Sequence, residues 1–95
     1  MKTVNLDERF KSFDGKDIED DNIRITLAKA LFAGNGVGES RDDKFDAYCL
    51  CNKLSSSSGE LELSDKEKET LLNVANACLR PGAFGQVADL LDYKR

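Results

Sequence analysis

One helix in this sequence has clear start and stop signals, and the other predicted elements are placed relative to it. The tetrapeptide SDKE is a capping box, in which the Ser64 hydroxyl and the Glu67 carboxylate each accept a hydrogen bond from the other residue's backbone N–H. Pro81 ends the helical stretch because its ring and missing N–H do not fit a helix interior. We therefore expect a central helix over residues 64–79. Its predicted buried stripe contains Leu71, Ala75 and Cys78.

Three further segments have helical periodicity. The first begins at a predicted cap, Thr26, and ends at Gly34; the second covers about residues 42–54; the last follows Pro81. The loop GNGVGES joins the first two, and it lacks the preceding strand and the Gly-Lys-Ser/Thr ending of a phosphate-binding loop. SSSSG is a polar connector. The predicted core of the whole chain is Leu27, Leu31, Phe45, Cys49, Leu71, Ala75, Cys78, Phe84, Val87 and Leu91.

The N-terminal segment indicates β-structure. KTVNL alternates with Val4 on the same side as Leu6, and ELELS is a short strand or an extended lead-in. Asp14-Gly15 is a turn dipeptide, so we expect a β-hairpin over about residues 9–20, with Phe10, Phe13 and Ile18 on one face.

The sequence thus predicts one α+β, mostly helical domain over 1–95, in which an N-terminal β-hairpin packs on three to four short helices. An acidic hairpin region covers 1–22 and a helical region covers 26–92.

The amino-acid composition argues against several classes of protein function. The chain has no histidine, which removes histidine acid–base chemistry and the commonest zinc ligand. Its net charge is −4 and its Lys and Arg residues are scattered, so we expect no direct nucleic-acid binding. No stretch has the roughly 18 apolar residues of a membrane span, and the first residues are not those of a signal peptide. An odd number of cysteines, three, is typical of a protein in a reducing cytoplasm. We also expect no enzyme activity, no cofactor and no resident metal.

The Cys49-x-Cys51 pair has three possible interpretations. Zinc needs more ligands than three cysteines supply, and residues two apart on a helix point away from each other. Core packing is therefore the leading interpretation, with Cys49 facing the core and Cys51 at its margin, because a free cysteine behaves as a small apolar side chain. A reactive thiol and a metal site remain alternatives.

An acidic cluster, DGKDIEDD, follows Phe13. Its spacing does not match a calcium-binding loop, and a solvated turn is the simplest interpretation. The alternatives are weak metal binding and a docking surface for a basic partner. The acids of that candidate surface are Asp17, Glu19, Asp20 and Asp21.

The segment from Leu61 to Asp92 resembles the end of a group of small proteins encoded by tailed bacteriophages and prophages. The shared features are a hydrophobic lead-in, a Ser/Thr-capped helix rich in Glu and Lys, and a closing P…GQ…LL element. FDGKDIEDD followed by TLAKAL is also similar to theirs, whereas GNGVGES and the cysteines depart from the pattern. Here the closing element consists of Pro81, Gly85, Gln86, Leu90 and Leu91.

The resemblance implies a viral or prophage origin and a non-catalytic role, since these proteins have no established activity. We expect a cytoplasmic accessory protein that binds a virion component or a host protein, for example as an assembly adaptor or chaperone. The alternative is an acidic inhibitor of a host nucleic-acid enzyme or defence complex, which requires the four hairpin acids to share a face with Asp7 or Glu8. A third hypothesis is an enzyme with an acidic metal site. The second candidate surface is Pro81, Gly85 and Gln86, where Gly82 and Gly85 are expected to allow a tight turn and close approach.

Overall fold

Four helices and a two-stranded sheet make up the described part of the chain, which covers residues 3–16, 22–56 and 59–93 of a computed structural model. The elements in chain order are β1 (Thr3–Asn5), α1 (Ile23–Ala33), α2 (Arg41–Ser56), β2 (Glu60–Glu62), α3 (Asp65–Cys78) and α4 (Pro81–Leu90). Helix α1 packs on both α2 and α3, and α3 also packs on α4. The predicted α+β, mostly helical class is confirmed.

The sheet pairs the N-terminal strand with the segment before α3. Strands β1 and β2 are antiparallel, with Val4 opposite Leu61. Alternation places four apolar side chains on the buried face, as both strand patterns predict. They are Val4, Leu6, Leu61 and Leu63.

The predicted turn at Asp14-Gly15 is present. Ser12 N–H donates to the Lys16 carbonyl and Gly15 N–H donates to the Ser12 carbonyl, both at 2.9 Å. The second side of the predicted hairpin over 9–20 includes residues 17–20, which lie outside the described residues. Phe10 is buried as expected, but the prediction that Phe13 joins it is wrong, since Phe13 is fully exposed at the tip of the turn.

Local signals fix both ends of α1. The predicted cap at Thr26 is wrong: Asn22 caps the helix, and its Oδ1 accepts from Ile25 N–H at 2.8 Å. The C-terminal end is as predicted. Gly34 has φ +85°, and its N–H points back to the carbonyls of Ala30 and Leu31.

The predicted capping box of α3 is confirmed. Glu67 N–H donates to Ser64 Oγ at 3.1 Å, and Ser64 N–H donates to Glu67 Oε1 at 2.9 Å. Lys53 on α2 also binds this carboxylate, at 3.1 Å, so the cap joins two helices. Burial alone would raise the pKa of Glu67, but the Ser64 N–H and the Lys53 ammonium outweigh it and lower the pKa.

One hydrophobic cluster draws on both strands and all four helices. Six predicted core residues are buried: Leu27, Leu31, Leu71, Ala75, Val87 and Leu91. Phe84 is half-buried, while the predictions for Phe45, Cys49 and Cys78 are wrong because all three are exposed.

The error on α2 has a simple physical cause. Two apolar stripes with helical spacing run along this helix, and the buried one is Ala47, Leu50, Cys51 and Leu54. Its small members allow close approach to α1, where Cys51 Sγ donates to the Ala28 carbonyl at 3.3 Å. A phenyl ring does not fit in such a contact, so Phe45 lies outside. Cys51 is therefore the core cysteine and Cys49 the exposed one, the reverse of the prediction.

This arrangement predicts selective thiol labelling. With a maleimide under native conditions, we expect Cys49 to react at least about 100-fold faster than Cys51, which must wait for local opening of the α1–α2 contact. Tandem mass spectrometry over time locates the label on Cys49 or Cys51 within their shared peptide and measures both rates in one sample. Equal rates for the two thiols in the folded protein would contradict the α1–α2 packing. Labelling in denaturant, where both react alike, is the control.

Candidate functional site

An open groove lies where α1 ends and α2 begins. Its volume is about 320 Å³, and we call it the aromatic groove. Its lining is Leu31, Phe32, Gly34, Val37, Lys44, Ala47 and Tyr48. Backbone geometry builds its wall, because the left-handed Gly34 turns the chain out of α1. Gly36 then packs the loop against the backbone of α3 at Asn73.

Two exposed aromatic side chains, Phe32 and Tyr48, line the groove, and a third, Phe45, lies beside Tyr48. The relative exposure of Phe32 is 79%, that of Phe45 is 64% and that of Tyr48 is 53%. Phe45 and Tyr48 lie one helical turn apart, with ring centroids separated by 6.2 Å. The groove thus joins the rings of Phe32 and Tyr48, and the contact of Tyr48 with Phe45 extends them into an apolar patch of the kind that marks a binding surface.

Charges are divided between the two sides of α2. In the described residues, Lys44 is the only charged side chain lining the aromatic groove. Asp43 and Asp46 instead line a cleft of about 350 Å³ between α2 and α3, together with Lys66. Lys66 Nζ donates to Asp46 Oδ2 at 3.0 Å, and this contact raises the pKa of Lys66. The groove side of α2 is therefore cationic although the whole chain is acidic.

Cys49 opens into a third cleft, of about 280 Å³, between α2 and α3. The charged groups around it are the Lys53–Glu67 and Lys66–Asp46 ion pairs. Residues 49 and 51 point to different sides of α2, so the pair does not converge on a metal. Across residues 3–16, 22–56 and 59–93, no three Cys, Asp or Glu side chains are grouped to hold a metal ion.

Asp7 joins three parts of the chain. Its Oδ1 accepts from Arg24 Nε at 2.5 Å and from Asn22 Nδ2 at 3.1 Å, and its Oδ2 accepts from Gly59 N–H at 2.6 Å. Arg24 in turn donates to the Leu54 carbonyl at 2.6 Å. The Gly59 N–H and the Arg24 guanidinium hold the pKa of Asp7 below its ordinary value. Asp7 is thus committed to internal contacts, which weighs against its use in an acidic face for a basic partner.

These contacts predict an acid-labile contribution to stability. The folded pKa of Asp7 lies below its unfolded value, so the contribution is complete above about pH 5 and disappears as pH falls through the folded pKa. In Asp7→Asn, we expect a lower urea midpoint at pH 7, because the Arg24 ion pair is lost. The difference from wild type should shrink below about pH 4. Urea titrations across that range measure it, and a difference independent of pH would contradict the role of the Asp7 charge.

The two surfaces predicted from the sequence have different outcomes. Asp17, Glu19, Asp20 and Asp21 lie outside the described residues, so their grouping stays a prediction. Pro81 is exposed as the first residue of α4. Gly85 lies inside α4, and a Cβ placed on it or on Gly82 would meet no atom within 4 Å. The expected tight turn and close approach at these glycines are therefore wrong.

Gln86 has an internal role. Its Oε1 accepts from Lys11 N–H at 2.7 Å, and its Nε2 donates to the Lys11 carbonyl at 2.8 Å. A further bond reaches the Gly82 carbonyl, one turn earlier in α4, at 3.2 Å. The side-chain amide thus pairs with the backbone as a neighbouring strand would, and it fixes the segment that leads into the Phe13 turn (residues 12–16).

The chain matches no protein-family model, no curated protein and no solved structure. What the fold defines is a small α+β, mostly helical domain. Within the described ranges, none of its helices combines the length and apolar character required to cross a bilayer.

The aromatic groove was not predicted from the sequence. Phe45 was assigned to the core, Tyr48 follows it by three residues, and Phe32 stands next to the end of α1. The sequence does contain a signal against that assignment. The stripe Ala47, Leu50, Cys51 and Leu54 is as regularly spaced, and its small residues suit a close helix contact.

Proposed function

We propose that this chain is a non-catalytic protein-binding module, of the phage or prophage accessory class that its sequence resembles. It acts in the cytoplasm of a bacterial host cell, without a cofactor. Its partner is a virion component or a host protein, which it binds through the aromatic groove rather than through a chemical step.

The observation that carries the proposal is the exposure of Phe32 and Tyr48 in the lining of one groove, with the exposed ring of Phe45 beside Tyr48. At about 200 Å² for each ring, the exposed parts amount to roughly 400 Å², within the size range of functional apolar patches. Leaving this area in water is unfavourable by about 25 cal/mol per Å². A partner that covers the patch recovers that free energy.

The composition of the patch also supports binding. Aromatic residues are enriched in the binding hot spots of protein interfaces, where they fill well-packed and desolvated positions. The groove offers such a position, because its floor contains the buried side chains of Leu31 and Ala47. Lys44 at the rim adds a cation that orients an acidic partner segment.

The test compares capture from phage-infected cells by tagged wild type, Phe32→Glu and Tyr93→Ser. Phe32 and Tyr93 are both exposed aromatics, but Tyr93 lies beside Phe84, away from the groove. We expect a partner captured by wild type and Tyr93→Ser to be lost at least about 10-fold with Phe32→Glu. Circular dichroism confirms that all three are folded. Capture that is equal for all three variants, or absent with wild type, would refute the proposal.

A further inference from the structure

We propose that copies of this chain associate head to tail, with Phe13 of one copy seated in the aromatic groove of the next. This inference rests on the proposed function only in treating the groove as a protein-binding surface. It goes beyond that function because it commits the groove to a particular occupant, a second copy of the chain.

The inserting element is the Phe13 turn. Phe13 has a relative exposure of 106%, which leaves its whole ring in water at the tip. The turn is closed by the Ser12–Lys16 and Gly15–Ser12 backbone bonds. Asp14 further accepts from the Ser12 hydroxyl and from Lys16 N–H, the latter at 3.2 Å. Since Gln86 also holds Lys11 at the base, the ring is presented by a preorganised turn, which lowers the entropy lost on binding.

The receiving element has room for the ring and a charge opposite to that of Asp14. The aromatic groove is open and mostly apolar, and its volume of about 320 Å³ accommodates a phenyl ring. Among the described residues that line the groove, Lys44 is the single charged one. Asp14 neighbours Phe13 at the tip, and its bonds to Ser12 and Lys16 lower its pKa, which keeps it anionic. An aromatic ring followed by a carboxylate thus meets an apolar groove with a lysine at its rim.

One copy cannot make this contact with itself. The Phe13 turn is anchored beside the start of α1, where Ile23 N–H donates to the Glu8 carbonyl and Ile23 shares a cleft with Gln86. The groove lies at the other end of the same helix, at Leu31 and Phe32. The 11 residues of α1 separate the two ends by about 16 Å. Docking of one copy leaves its own groove free, so the contact can repeat from copy to copy.

A single aromatic anchor gives weak association, with a dissociation constant on the order of 0.1–1 mM. Nitrogen-15 NMR spectra recorded from about 1 mM to about 0.05 mM suit this range. In wild type, we expect dilution to shift the resonances of residues 12–16 and those of the groove together. In Phe13→Ala and in Phe32→Glu, the dilution shifts should disappear. Asp14→Asn, which keeps a good turn residue, should weaken association by about two- to fivefold.

Mixing the two defective variants is the decisive step. Labelled Phe13→Ala retains its groove, so unlabelled Phe32→Glu should shift its groove resonances. With the labels exchanged, residues 12–16 of Phe32→Glu should shift. Tyr93→Ser is the matched control and should behave as wild type. Absence of dilution shifts in wild type, their persistence in Phe13→Ala, or failure of the mixture to restore them would each overturn the proposal.

The same variant separates this proposal from the proposed function. Phe13→Ala leaves the groove intact, so it should capture the cellular partner at least as well as wild type. If Phe13→Ala captures the partner and still self-associates as wild type does, the inference is refuted and the proposed function is retained. The opposite result is self-association that is lost in Phe13→Ala and Phe32→Glu and restored in their mixture, while no variant captures a cellular partner. That result would support the inference and refute the proposed function.

Discussion

Replacing Gly36 with alanine is expected to destabilise the fold by about 2–4 kcal/mol. Gly36 has φ +73°, a backbone conformation that is unfavourable for residues with a Cβ. A Cβ placed there lies 2.6 Å from the Asn73 carbonyl oxygen and 2.9 Å from Val74 Cα, so the loop must move away from α3. A chain of this length has a free energy of unfolding of about 5–14 kcal/mol, and the loss is a large share of it. Urea denaturation followed by circular dichroism measures the effect.

Gly34→Ala is the matched control for this prediction. Gly34 also has a positive φ, +85°, but a Cβ at this position meets no atom within 4 Å. Its replacement therefore carries only the conformational cost, about 1 kcal/mol. The difference between the two variants isolates the contact of the loop with α3. Equal losses for Gly34→Ala and Gly36→Ala would contradict that contact.

The contact at Gly36 links stability to the proposed binding surface. Val37, the next residue, lines the aromatic groove on one side and the cleft containing Asp43 on the other. A loop displaced from α3 carries Val37 with it and changes the shape of both. The groove is thus maintained by packing of backbone on backbone, which leaves the exposed aromatic residues free to vary without loss of the fold.

The features predicted correctly are those specified by neighbouring residues. The capping box at Ser64 and Glu67 needs only four residues, and the Asp14-Gly15 turn needs five. Strand alternation at Val4 and Leu61 is also local, although which strand pairs with which is not. Such signals determine the type of each element because the backbone groups that they satisfy lie within the same turn or strand.

The features that were missed depend on residues distant in sequence. Gln86 bonds to Lys11 across 75 positions, and Asp7 bonds to Gly59 across 52. On α2, two stripes fit the helical period equally well, and the surface of α1 decides between them. Periodicity alone measures how apolar residues are spaced. It carries no information on how closely the facing helix can approach, and this is why Phe45 and Cys49 were assigned to the core.

The same dependence on the facing helix predicts unequal effects for two adjacent leucines of α3. Leu71 is fully buried, whereas Leu72 is only half-buried at the edge of the core. We expect Leu71→Ala to lower the free energy of unfolding by about 3 kcal/mol, since it leaves a cavity between well-packed helices, and Leu72→Ala by about 1 kcal/mol. Both variants remove the same atoms from the same helix, so helix propensity and chemistry cancel in the comparison. Urea titrations of the two proteins provide the test. A larger loss for Leu72→Ala would mean that α3 presents a different face to the core, and with it the positions assigned to Gly36, Val37 and the groove would have to be abandoned.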